Sequence, residues 1–224
     1  MTRRRIPKPR TAAQRRARIQ KILQGLDQAY PNAQCALGHR TPFELLVATI
    51  LSAQCTDKRV NLVTPGLFRK YPTVTDFAAA RQTALEQDIR TTGFFRNKAK
   101  ALIGAAQTLL RDFGGQLPRT MEEMLRLPGV ARKTANVVLG TAFGLATGVV
   151  VDTHVQRIAR RLDLTTEKDP KKIEQDLVRA LPQDKWIVFS HQIIHHGRQV
   201  CAARKPACER CPLEPVCYSS EKRP

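Results

Sequence analysis

The stretch LPGVARKTANVV, Leu127 to Val138, places one lysine, Lys133, just after a Pro-Gly turn and among valines and alanines. A turn of this kind running into a helix presents main-chain N–H groups to a phosphate without reading any base. A lysine in that setting has two chemistries open to it. It can hold phosphate as a plain cation. Alternatively, desolvation by Val130 and Val137 together with the positive helix end can strip its proton near neutral pH and make it a nucleophile. Asp152, in VDTHVQRIARRL, follows three valines and opens a helical pattern. It can cap that helix, worth roughly 1 kcal/mol, and a carboxylate near a sugar can also stabilise positive charge developing at the anomeric carbon. The two roles are compatible. The third group is Cys201, Cys208, Cys211 and Cys217, spaced C-x6-C-x2-C-x5-C. Four thiols so close suit one metal site, and a tetrathiolate set fits either zinc or an iron–sulfur cluster. Only Cys208 and Cys211 form the close pair of which zinc ribbons usually carry two, and the spacing does not equal the ferredoxin patterns. Chemistry alone leaves both metals open. Cys35 and Cys55 stand apart. His191, His195 and His196 read as packing or surface residues, with no acidic or cysteine partner nearby in sequence.

The elements that must position these groups are helical. Thr41-Pro42-Phe43-Glu44 and Thr120 to Glu123 have the form of capping boxes. Phe95 to Phe113 carries helical periodicity and stops at Gly114-Gly115. Asp152 caps a helix to about Leu162, Asp169-Pro170 starts another, and Asp184 to Val200 reads as a last long one. Val149 to Val151 is the only strand-like run and is too short to found a sheet. The fold class is all-α, with no internal repeat.

The 224 residues suffice for one or two cores without disulfides. The formal charge of +19, from 38 Lys+Arg against 19 Asp+Glu, calls for an anionic partner, and nucleic acid fits best. A membrane partner is not expected, because no apolar run has spanning length. The first eighteen residues carry eight Lys/Arg and no acids, which argues against a signal peptide and for an intracellular, reducing compartment. This stretch, 1–18, is expected to be a flexible basic arm that either binds phosphate or only solvates the chain, merging into a helix that ends near Tyr30.

LSAQCTD (Leu51 to Asp57), LPGVARKTANVV, GTAFG (Gly140 to Gly144), VDTHVQR and the cysteine spacing occur in the order of the endonuclease III family. From about residue 20 to 218 the chain resembles these DNA glycosylase/lyases for oxidised pyrimidines. The resemblance implies a two-lobed helix-hairpin-helix glycosylase fold, with a six-helix lobe at 35–145 and a second lobe from 19–34 and 146–224 that carries a [4Fe-4S] cluster on the four cysteines. It makes Lys133 the nucleophile and Asp152 its partner, facing the cleft between the lobes, with the damaged base flipped from the duplex. The hairpin residues Leu127, Gly129, Val130, Ala131 and Arg132 would bind the DNA backbone together with His154, Arg204 and Lys205. Gln54 and Phe94 would fill the void left in the helix. Ala131 replaces the family's second hairpin glycine, Phe94 a common leucine, Phe95 a usual tyrosine and Cys55 a common alanine. The implied partner is damaged double-stranded DNA, bound by a monomer in a bacterial cytoplasm, associated with the nucleoid. A non-catalytic damage-binding module and a lyase acting mainly on abasic sites are the alternatives.

Overall fold

A computed structural model describes residues 7–220. Eleven α-helices account for most of them, and no strand occurs among the described residues. The helices are α1 (Ala12–Ala29), α2 (Pro42–Leu51), α3 (Asp57–Lys70), α4 (Val74–Ala78), α5 (Gln82–Asp88), α6 (Phe95–Phe113), α7 (Met121–Met124), α8 (Arg132–Phe143), α9 (Thr153–Arg161), α10 (Pro170–Ala180) and α11 (Trp186–Gln199). The chain divides into two compact units, one spanning Cys35–Thr147 and one built from the segments before Cys35 and after Thr147.

In the Cys35–Thr147 unit α2 is the central helix. Residues 44–51 of its sequence PFELLVATIL are all buried, so it is apolar on nearly every side, as a helix surrounded by others must be. Helix α8 packs on it, and α6 packs on both α4 and α5. Thr41 caps α2 by accepting from the Glu44 amide at 3.2 Å. The reciprocal half of the expected capping box is missing. Glu44 instead accepts from the Arg40 amide at 2.6 Å and from its guanidinium at 2.8 Å, because the buried carboxylate gains more from a cation than from one amide. Thr120 likewise caps α7 through the Glu123 amide at 3.3 Å, while Glu123 turns to the threonine hydroxyl. Helix α6 runs from Phe95 and ends at Gly114, in agreement with its periodicity.

The other unit gathers Ile22 and Leu26 of α1, Val155 and Ile158 of α9, and Phe189 and Ile193 of α11 into its core. The basic segment departs from the expected arm. Thr11 and Gln14 form a full capping box, so α1 begins at Ala12. Arg18 is buried, with its guanidinium donating to the carbonyls of Leu162 and Val216. An arginine with acceptors available inside the fold is ordered by them, which charge counting could not anticipate. The first six residues of the arm lie outside the described residues. Val149 to Val151 is buried but is not a strand, with the Val150 amide donating to Ser190 Oγ at 3.0 Å.

Candidate active site and nucleic-acid interface

Helix α8 presents Lys133. The hairpin before it is anchored by Leu127 and Val130, whose side chains are both buried in the core of the Cys35–Thr147 unit, so these two residues offer only backbone to a ligand. Between them Gly129 has φ +77°, and a Cβ there would lie 2.6 Å from the Cβ of Ala101. Only glycine fits this close turn. The turn is closed by the Val130 amide donating to Leu127 O at 3.1 Å. Ala131, the N-cap, has extended backbone and no side chain that can cap. The starts of α5 and α6 also lack a side-chain cap, whereas Thr41, Thr56, Thr73 and Thr120 cap the other four α-helix starts of this unit. The replacement of glycine by alanine at 131 is therefore accommodated in extended backbone, and no side chain competes for the first-turn amides of α8. Lys133 itself is exposed. The desolvation expected from Val130 and Val137 does not arise, because Val130 turns into the core while the lysine leaves the surface one residue into the helix.

Asp152 belongs to the other unit, half-buried at the N-terminus of α9. Its Oδ1 accepts from the His154 and Val155 amides at 2.9 and 2.8 Å, so the capping role is met by one oxygen. His154 is half-buried beside Arg157, whose Nη2 lies 3.2 Å from its Nδ1, and burial is the main cause of an imidazole pKa below the ordinary histidine value. Gly197 of α11 makes this approach possible, since a Cβ there would meet His154 Nδ1 at 2.6 Å.

Gln54 and Phe94 are both exposed, at φ +52° and +48°, in the left-handed region that side-chain-bearing residues rarely enter. Phe94 is 61% exposed while its neighbour Phe95 packs against the core, so the adjacent pair divides into one surface ring and one packed ring.

The four C-terminal cysteines form no disulfide, each is half-buried, and all four line one cavity together with Ile158, Leu162 and Leu213. Among the described residues no three His, Cys, Asp or Glu side chains close tightly enough on one point to hold a single metal ion. Burial, and then the other three cysteines, push the Cys211 thiol up to about 11, against one hydrogen bond from the Leu213 backbone that lowers it. Two flanking contacts escaped the sequence reading. Arg161 Nη1 lies 3.2 Å from Cys201 Sγ and donates to Ala202 O at 2.8 Å. His196, 1% exposed, places Nε2 3.6 Å from Cys211 Sγ and Nδ1 3.0 Å from Tyr30 Oη. His196 thus has the packing role read for the histidines, and the cysteine it packs against lies fifteen residues on in sequence. Arg161 was legible in part, since it falls three residues after Ile158 on the apolar face of α9. Arg204 and Lys205 are exposed on the loop between the first two cysteines.

Residues 47–183 match the HhH-GPD superfamily of base excision DNA repair proteins. The chain is 53% identical to endonuclease III of Synechocystis over 212 residues, covering 95% of this chain and 97% of that protein. The chain belongs to the endonuclease III family. Endonuclease III of Bacillus subtilis is 44% identical over 206 residues, covering 92% and 94% of the two chains. A solved structure of a trapped endonuclease III–DNA covalent intermediate superposes with TM-score 0.86 at 42% identity, covering 90% of this chain and 95% of that one. The all-helical architecture is that of the endonuclease III fold, and DNA binding and base-excision repair follow from the family. No helix among the described residues is long and apolar enough to cross a membrane.

Proposed function

We propose that the chain removes oxidised pyrimidines from duplex DNA and then cuts the strand, with Lys133 as nucleophile and Asp152 as its partner. It is a DNA glycosylase/AP lyase of base-excision repair. The observation that carries the assignment is Lys133 standing exposed at the start of a helix whose first turn no side chain caps. The relative trapped as a covalent intermediate with DNA supports a covalent nucleophile on this scaffold. The hairpin amides hold a phosphate, and the lesion is extruded to reach the nucleophile. Lys133 Nζ attacks C1′ of the deoxyribose, and the C1′–N bond breaks with its electron pair leaving on the base. Loss of a proton from nitrogen and ring opening give an iminium. The iminium acidifies the C2′ proton, whose removal expels the 3′ phosphate. Asp152 stabilises the cationic sugar and accepts a proton from the lysine. Both groups must reach the same sugar for this to proceed. Gln54 and Phe94 fill the space the extruded nucleotide leaves, while Arg132, His154, Arg204 and Lys205 add backbone contacts.

The four cysteines suit a [4Fe-4S] cluster. A single zinc would draw each sulfur to about 2.3 Å from one centre, whereas these thiols line a cavity without closing on a point. The cluster would supply structural cross-linking to the segment 201–217 and no step at the sugar. The reading includes a monomer acting on damaged duplex at the nucleoid, and the organisms of the relatives support the bacterial setting alone.

The test is borohydride trapping on a thymine-glycol duplex. Wild type is expected to trap and nick, and Lys133→Ala to lose trapping by at least about a thousandfold while its affinity for the duplex stays within about fivefold. Asp152→Asn keeps the cap, so it should fall in rate with little change in stability. A Lys133→Ala protein that still traps overturns the assignment. Nicking confined to abasic substrates moves the activity to the lyase alone.

A further inference from the structure

Lys98 plays no part in the chemistry above, and yet it is buried, 5% exposed, in the first turn of α6. Its Nζ donates to two main-chain carbonyls, Leu51 O at 2.7 Å and Thr92 O at 2.8 Å. Leu51 closes α2, three residues before Gln54, and Thr92 stands two residues before Phe94. The ammonium therefore bridges the roots of two loops 47 and 6 residues away in sequence. Among the described residues only three non-glycine positions have positive φ, and two of them are the tips of these loops, Gln54 and Phe94. Such backbone costs on the order of 1–3 kcal/mol and persists only where the surroundings hold it.

A buried ammonium without a carboxylate partner is an expensive way to fill space, and a methionine would fill it at less cost. Burial accordingly lowers the Lys98 pKa, partly opposed by Cys55. What an apolar side chain cannot do is donate to two carbonyls of different segments at once. We propose that Lys98 is a positioning residue that ties the Gln54 and Phe94 loops into one rigid wedge, so that neither loop has to be ordered when it enters the duplex. The proposal rests on Gln54 and Phe94 as the inserting residues.

The test compares wild type with Lys98→Met on three measurements. The first is the fluorescence of a 2-aminopurine beside thymine glycol, which reports unstacking without requiring chemistry. The second is base release from that duplex, and the third is cleavage of a single-stranded abasic oligonucleotide, where nothing has to be unstacked. Lys98→Met is expected to lose most of the fluorescence rise and to slow base release about 10–100-fold, with single-strand cleavage within threefold of wild type. In a Gln54→Ala/Phe94→Ala background the same substitution should cost less than threefold more, because its route is already removed. Lys98→Gln, which keeps donors at reduced reach, should recover part of the loss, and it replaces Lys98→Met if the latter does not fold. Equal loss on both substrates, full additivity with the loop variants, or no recovery by glutamine overturns the proposal. A wild type that unstacks the reporter but releases no base refutes the excision reading alone. Loop variants that unstack normally refute the insertion reading and this proposal with it.

Discussion

The hairpin of the Cys35–Thr147 unit and the cysteine segment of the other unit are both short, irregular and placed to carry function, but they are held by opposite means. Leu127 and Val130 drive two side chains into an apolar core on either side of Gly129, and the turn needs little else. The segment 201–217 has only two 3-10 turns, Cys208–Arg210 and Glu214–Val216, and few buried apolar anchors beyond Leu213. Guanidinium groups hold it instead, with Arg161 donating to Ala202 and Ala203, Arg157 to Cys201 and Arg18 to Val216. Apolar anchors suffice for a turn of a few residues. A longer loop with few apolar anchors is held by charged donors to its carbonyls instead.

Cys211→Ser should separate the two regions most sharply. It is expected to lose the iron of the proposed cluster and several kcal/mol of stability, with amide exchange rising across 201–217 while α2 and α8 stay protected. Loss of protection in both regions together would break the distinction.

The two close-approach glycines give a finer comparison. Added Cβ atoms at Gly129 and Gly197 meet their nearest neighbours at the same 2.6 Å, but one neighbour is the Cβ of Ala101 and the other is an imidazole nitrogen of His154. Gly129→Ala is also strained by its φ of +77° and is expected to cost roughly 2–5 kcal/mol. Gly197→Ala should cost less, roughly 1–3 kcal/mol, since side-chain ends can move. Denaturant titration checks the order, and equal costs would show that the His154 side is as rigid as the hairpin.

The smallest effect concerns acid. Burial, and then His195, hold the His191 imidazole below the ordinary histidine pKa, so the folded state favours its neutral form. Stability from this source is complete above the unfolded value of about 6.5 and is lost as pH falls below it, because the unfolded chain takes up the proton more readily. The denaturation midpoint should fall between pH 7 and 5, and by less in His191→Gln. Four of the five histidines lie in the unit with the cysteines, so loosening should be seen there first.

Much of this was legible locally. The ends of α6, α9 and α10 follow from Gly114, Asp152 and Asp169-Pro170, because caps act within a single turn. The cysteine spacing and the hairpin motif likewise need only neighbours in sequence. The start of α1 is marked locally by the Thr11/Gln14 capping box, which the density of basic residues masks, while Arg18 further along is ordered by carbonyls 144 and 198 residues away. Helix α4 is announced locally by the Thr73/Asp76 capping box, whereas α5 has no side-chain cap and is a short element held by packing on α6.

The sequence by itself determined the helical class, the capped helix starts, the four thiols as a set and the lysine of the hairpin, all of which depend on residue type at fixed spacing. Only the tertiary structure decided that Lys133 is exposed, that His196 faces Cys211 and that Lys98 bridges two loops. Burial and the choice of a distant acceptor are properties of packed surroundings, and a chain acquires them only when segments far apart in sequence meet.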